Sequence, residues 1–494
     1  MRKRLVSLLF AGIMACSVIG SGVTTFAAEN DSHINLALFT YIEGMDPATD
    51  WCGWNLTRCG VGETLVTVNE NMEIVGQLAD EWEQVDDTTY RFHIRQGVKF
   101  SNGTELTPEI VKDSIQRSID NNSRGGDLKI ANIEVDGENV VFTTDGAYSA
   151  FVSQLTEPMT VIVDTTADTS NYDTMPICTG PYAVSEYVSE EKIELVANEN
   201  YWDGAPEIKS ITVKNIGSDT KVDAMLSGDI DLAQGPDATA LNRVENNDDI
   251  NIVKVTGTRE NDFELNCHEG NPLSDKNLRL ALSYAVDRDV VAQVAGNGYS
   301  SPISTAFPPS VGYDSEDVNG QVYDLDKAKE YLAKAFPNGN AALDISVGAD
   351  RKTIAEMIQS QCKEIGLTIN IVELDSAGIS TTTTNGEHQS CLYGMGFNIF
   401  GDDARRILQP GSAVNKAHYD SPEVMELLDK AVAEEDEAKR LDYYKQIQEN
   451  VYEHVPYIPI YYADGFIGVK KGTGGIDIYP TSHHDFSNIF VPAE

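Results

Sequence analysis

The sequence predicts a two-lobed α/β protein carrying an extra β-rich domain, and three observations lead there. The chain has 494 residues, several times the length that one hydrophobic core usually serves. Two strand–helix–strand units stand far apart, at 210–233 and 343–374. A stretch dense in short strands and turns precedes the first of them. With 41% apolar and 23% charged residues the composition is that of a globular chain, not a disordered, fibrous or polytopic one.

The elements follow in chain order. Basic Arg2-Lys3-Arg4, an apolar run from Leu5 to about Gly20 and small residues up to Ala27-Ala28 read as a secretory signal over 1–27. Cys16 after Ile13-Met14-Ala15 resembles a lipoprotein box, so lipid attachment at Cys16 stands beside cleavage after Ala27. Ile34 to Leu38 has strand character and runs into the turn Gly44-Met45-Asp46-Pro47. Tyr90, Phe92 and Ile94 alternate with Arg91, His93 and Arg95, a half-buried strand. Thr107-Pro108-Glu109 opens a helix to about Ile119, because Pro is preorganised for the first helical position and Glu follows it. Val140 and Phe142, then Ile162 and Val163, mark further strands.

Ile211 and Val213, a helix over 219–226, and Ile230 and Leu232 form the first strand–helix–strand unit. Leu278, Ala281, Leu282, Ala285 and Val286 share one face of a helix that follows Pro272-Leu273-Ser274-Asp275. The second unit has Ile345 and Val347, a helix carrying Ile354, Ile358 and Cys362, the stop Gly366, and Ile369 and Ile371. Helices over 422–435 and 437–452 make a hairpin before the strand 457–462, and 472–494 reads as an excursion back across the surface.

Charge excludes several functions. The 36 Lys and Arg face 78 Asp and Glu, a net charge of −42, so phosphate backbones and anionic membranes are repelled over most of the surface and no nucleic-acid partner is expected. No GxxxxGK[ST], GxSxG, HExxH or strand-to-helix GxGxxG occurs, and no cofactor is expected. Cys52, Cys59, Cys178, Cys267, Cys362 and Cys391 form no CxxC pair. Cys52 with Cys59 is one of many pairings open to an exported chain. His388 with Cys391, Cys267-His268 and His483-His484 are weak metal pairs.

Trp51, Trp54 and Arg58 lie within eight residues, and two stacking surfaces plus a guanidinium suit a small solute bearing a carboxylate. Arg405-Arg406 beside Asp402-Asp403 holds either such a carboxylate or its own acidic neighbours.

The order and spacing of several segments resemble the family 5 solute-binding proteins of ABC importers, the peptide and nickel group. They include Ala79-Asp80-Glu81-Trp82, Tyr90 to Arg95, Gly97-Val98-Lys99-Phe100-Ser101-Asn102-Gly103 and Thr179-Gly180-Pro181-Tyr182. Asn198-Glu199-Asn200-Tyr201-Trp202, Gly228-Asp229-Ile230-Asp231, Leu280 to Arg288 and Val455 to Ile460 complete the pattern. The resemblance implies a class II periplasmic-binding-protein fold. Lobe I would take 28–71, 179–256 and the returning 466–494, with the extra domain at 72–178 and lobe II at 257–465. It implies a monomeric receptor that captures a small peptide, or alternatively a nickel or other metal chelate, and delivers it to a membrane permease. An exported hydrolase stands as the alternative class.

Family likeness also suggests contacts. Gly396-Phe397 through Gly401-Asp402-Asp403 is similar to the place where dipeptide binders pair an Asp with the peptide amino group, which puts Asp403 there with Asn398 and Phe400 nearby. Ala404 stands where that group usually has Pro. Arg124 resembles the chelate-contacting Arg of nickel binders, Met159 replaces a second one, and His418 falls near their metal-capping loop His.

Overall fold

The computed structural model describes residues 32–494 except 39–43, 70, 237, 245–246, 304, 309–310, 316, 340, 398–402, 481–483, 486–488 and 490–494. Residues 1–27, expected to be an export signal, with Cys16, and Asn398 and Phe400, lie outside the described residues.

A mixed sheet runs through the molecule in the order Thr368–Glu373, Ala342–Val347, Ser390–Gly396, Ile250–Leu265, Tyr457–Lys470, Leu232–Gln234, His33–Ala37, Ser210–Lys214, Lys192–Ala197, Tyr182–Val188. Ser300–Pro302 pairs to the side of Tyr457–Lys470. Both strand–helix–strand units are present. Ala342–Val347 and Thr368–Glu373 are parallel neighbours joined by the helix Lys352–Glu364. Ser210–Lys214 and Leu232–Gln234, joined by the helix Ser218–Ser227, instead admit His33–Ala37 between them, parallel to both.

Two long antiparallel strands tie the halves together. Ile250–Val255 pairs with Lys470–Gly465 on the side of His33–Ala37, and Arg259–Glu264 pairs with Ala463–Tyr457 on the side of Ser390–Gly396. Between Val255 and Arg259 the register shifts. At that break a Cβ on Gly257 would lie 2.3 Å from the Ala463 carbonyl oxygen, so only glycine allows the strands to cross so closely.

Each half has its own core. Leu278, Leu282, Ile345, Ile358 and Ile458 fill one, and Leu36, Val213, Leu232 and Ile467 the other. A separate four-stranded antiparallel sheet, Ala79–Asp86, Thr89–Ile94, Asn139–Thr144 and Ile130–Asp136, packs Phe92 edge-on against Phe142 at 5.6 Å and buries Val111 and Ile115 of the helix Pro108–Asn121. The α/β class with a β-rich addition, consistent with two lobes, is thus observed.

Three expectations at the level of elements differ. Ile162 and Val163 make no strand. Ile162 N–H bonds to Glu63, Asp164 N–H bonds to Ile177, and Val163 forms a lone bridge with Cys178, so this buried segment wedges between neighbours instead of joining a ladder. The strand that starts at Tyr457 continues to Lys470, beyond the Tyr462 expected from its apolar run. Cys52 and Cys59 are free thiols, as are the other four cysteines of the described chain. They cap opposite ends of the helix Gly53–Arg58, and seven residues of helix span about 10 Å, too far for a bridge.

Candidate functional site

Where the two long strands cross, a cavity of about 630 Å³ opens between the halves of the sheet, a volume suited to a small solute. The side of His33–Ala37 contributes Trp51, Trp54, Arg58 and Gln234. The other side contributes Asp350, Arg351, Tyr393, Arg406 and Val414, and the crossing itself contributes Thr258, Arg259 and Phe466.

The short helix Gly53–Arg58 places the first group. It packs so tightly on the turn Pro158–Thr160 that a Cβ at Gly53 would stand 2.2 Å from the Pro158 carbonyl oxygen. Trp54 and Arg58, one helical turn apart, then stack with the guanidinium 4.7 Å from the ring centre. Trp51 lies under two cations, Arg124 at 4.0 Å and Arg406 at 5.9 Å. Behind this wall the buried Lys221 ammonium donates to the Gln234 carbonyl at 2.7 Å, and burial aided by the nearby Arg58 brings its pKa down to about 8.

Opposite, Arg351 follows directly on the carboxyl end of a parallel strand, the usual place for ligand contacts in an open α/β sheet. Its Nε donates to Asn261 Oδ1 at 3.3 Å and its Nη1 to Asp350 Oδ2 at 2.6 Å. Arg259 Nη2 donates to the Gly394 carbonyl at 2.8 Å. Burial raises the Tyr393 phenol, and Arg259 and Arg406 pull it back, which places both guanidiniums close to that ring. The cavity therefore presents Arg58, Arg259, Arg351 and Arg406 with aromatic rings, an array that binds carboxylates in two-pronged fashion while apolar parts stack.

Of the residues expected from sequence, Trp51, Trp54, Arg58 and Arg406 meet at this cavity. Arg124, Asp403, Arg405 and His418 are not among the residues that line it. Arg124 backs Trp51 and pairs with Glu157 at 3.3 Å and Asp127 at 3.4 Å. Asp403 is buried one turn before Arg406 on the helix Asp403–Leu408 and accepts from it at 3.1 Å. Arg405 points the other way, to Asp429 at 2.6 Å. His418 Nε2 bonds to the Thr383 carbonyl at 2.8 Å. His388 bonds to the Lys416 carbonyl, and among the described residues no group of three or more His, Cys, Asp or Glu is placed to hold a metal ion. Sequence reasoning missed Arg259, Arg351 and Tyr393. The one available signal was Arg351, four residues after the strand Ile345 and Val347 foretold.

Comparison with known proteins agrees with this architecture. The model of the bacterial extracellular solute-binding proteins, family 5, matches residues 73–417. The nickel-binding protein NikA of Staphylococcus aureus is 26% identical over 97% of this chain and 96% of its own. The dipeptide-binding protein of Escherichia coli is 26% identical over 85% of this chain and 86% of its own. A crystal structure of the S. aureus NikA in complex with Ni(L-His)2 superposes with a TM-score of 0.82 over 93% of this chain and 100% of that one, at 24% identity, a likeness of fold. With a cleft lined from both halves of its sheet and a family match over most of its length, the chain belongs to the bacterial extracellular solute-binding proteins of family 5.

Proposed function

We propose that this protein is the extracytoplasmic receptor of an ABC importer and captures a small peptide between two lobes for delivery to the permease. The observation that carries the reading is the arrangement of Arg58 with Trp54 on one wall and Arg351 on the other, with Arg259 at the crossing of the two long strands where their register breaks. A carboxylate-bearing solute gripped from both walls stabilises the closed form, and exclusion of water strengthens each ion pair. Asp403, held by Arg406, supplies the negative charge for an ammonium group at the cleft's edge, with Asn398 and Phe400 close by in sequence.

A metal chelate with free carboxylates is the second reading, favoured by the excess of guanidiniums in the cleft and by a nickel-binding relative that matches nearly the whole chain. Arg124 and His418 would then act as the chelate contact and the metal cap. The receptor reading includes lobe boundaries near 256 and 465, a removable segment 1–27 or a lipid at Cys16, a monomeric state, and no turnover. Native mass spectrometry of freshly purified protein tests it: a peptide or a metal complex released unchanged is the expected result. Small-angle scattering should show compaction when that solute is added back. Hydrolysis of the added peptide would instead favour an exported hydrolase.

A further inference from the structure

Beyond the cleft, the strand Ile250–Leu265 holds an arrangement the solute reading does not use. Phe263 and Leu265 point into the core with Leu278 and Ile345, so alternation sends Glu260, Asp262 and Glu264 to the opposite face. That face is also covered. The three carboxylates are 0%, 1% and 1% exposed, and the Ala417 N–H beside Glu264 is the backbone donor set against them among the described residues. Residues two apart on a strand stand roughly 7 Å apart, so three acids form one row. Two carboxylates brought together bond to each other only if one carries a proton, and Glu260 and Asp262 are close enough to do so.

The surroundings do not neutralise the row. Register places Tyr462 across from Glu260 and Tyr457 across from Glu264, and on the other side Tyr393 across from Asp262 and Cys391 across from Glu264. Arg288 at the start of the helix Arg288–Ala295, Tyr452 of the helix Glu437–His454 and Lys416 of the preceding loop complete the ionisable neighbours. Burial raises Cys391, Tyr457 and Tyr462 well above their usual range and raises Tyr452, leaving them neutral, and it lowers Arg288 and Lys416. Arg288 and Lys416 thus face the three acids from this side, and Arg259 and Arg351 act on Asp262 from the cleft. From the cleft side Arg351 reaches Asn261 and Arg259 reaches Gly394, residues adjacent to Asp262 and its partner Tyr393.

We infer that Glu260, Asp262 and Glu264 form a proton store coupled to the cleft, filled at neutral pH, and that its least firmly held proton, on Asp262, is kept to higher pH when an anionic solute neutralises Arg259 and Arg351. Burial pushes Glu260 and Glu264 well above the carboxylate range and Asp262 up to about 8, with sharing toward Glu260 and then Arg259 and Arg351 holding Asp262 back. Loss of those two charges releases that restraint, so capture tightens as pH falls. The sign for folding is the same: carboxyl groups raised in the folded state stabilise it below the unfolded value of about 4, and this is lost as pH rises toward about 8.

The coupling to capture rests on the anion-binding reading of the cleft, whereas the store does not, and the test separates them. Thermal midpoints of the full chain are measured without ligand from about pH 5 to about pH 9. The midpoint should fall with rising pH and level in part above about 8, where Asp262 has ionised, and Asp262→Asn should flatten the fall below that point; Glu264→Gln serves if that variant does not fold. The double variant Arg259→Gln, Arg351→Gln imitates neutralisation and should move the levelling point up by about one pH unit. A curve that Asp262→Asn leaves unchanged, or a levelling point that the double variant leaves in place, overturns the inference. Calorimetry with glutathione and with the nickel–histidine complex, in buffers of different ionisation enthalpy, should show fractional proton uptake; binding without uptake overturns the coupling. Failure of both probes beside a shifted levelling point counts against the solute reading and supports the store.

Discussion

Arg351 and Arg259 act from a wall whose sequence carries no motif, and they set the sharpest expectation for single residues. Replacing either by Gln removes a charge-assisted contact and should weaken capture of the native solute roughly 10- to 100-fold in calorimetry, about 1.5–3 kcal/mol. Lys at position 351 should not restore it, because the planar fork is lost. Arg405→Gln is the control. Its partner Asp429 is exposed, and affinity should stay within about twofold. Trp51, Trp54 and Arg58 were legible because stacking and charge crowd into eight residues, while Arg259 and Arg351 stand 92 positions apart and only the sheet brings them together. Arg405 and Arg406 show the limit from the other side: adjacent residues on a helix face different ways, and only Arg406 turns to the cleft.

Elements with local signals were readable. Thr107 and Pro108 start their helix at the expected place, with Thr107 Oγ1 accepting from Ile110 N–H at 3.4 Å. At that length the cap is a modest one, and Thr107→Ala should cost about 0.5–1 kcal/mol in chemical denaturation. Phe92→Ala, which opens the aromatic cluster with Phe142 and Phe151, should cost about 3–5 kcal/mol. The longest strand of the molecule was not readable. Its alternation is carried by Glu260, Asp262 and Glu264, residues that mark a solvated face almost everywhere else, so burial on both sides hid the pattern. The segment around Ile162 misled in the opposite sense, since apolar character sufficed to bury it while its hydrogen bonds went to two separate neighbours.

For the whole molecule, net charge and cleft charge have opposite signs. A surface of −42 repels an approaching anion over a Debye length, and the arginines attract it only at close range. Stopped-flow association of an anionic solute should therefore speed up as salt rises from about 0.01 to about 0.15 M, the reverse of electrostatic steering. The order of the sheet has a temporal consequence. Ile250–Val255 reaches Leu232–Gln234 only through Tyr457–Lys470, which also borders Arg259–Glu264 in the other half. Translation delivers that strand after more than nine-tenths of the chain, so until then both halves lack a central rung. A polypeptide ending at 456 should stay open to protease in both halves of the large sheet, and the complete one stays an unassembled thread there until that strand arrives.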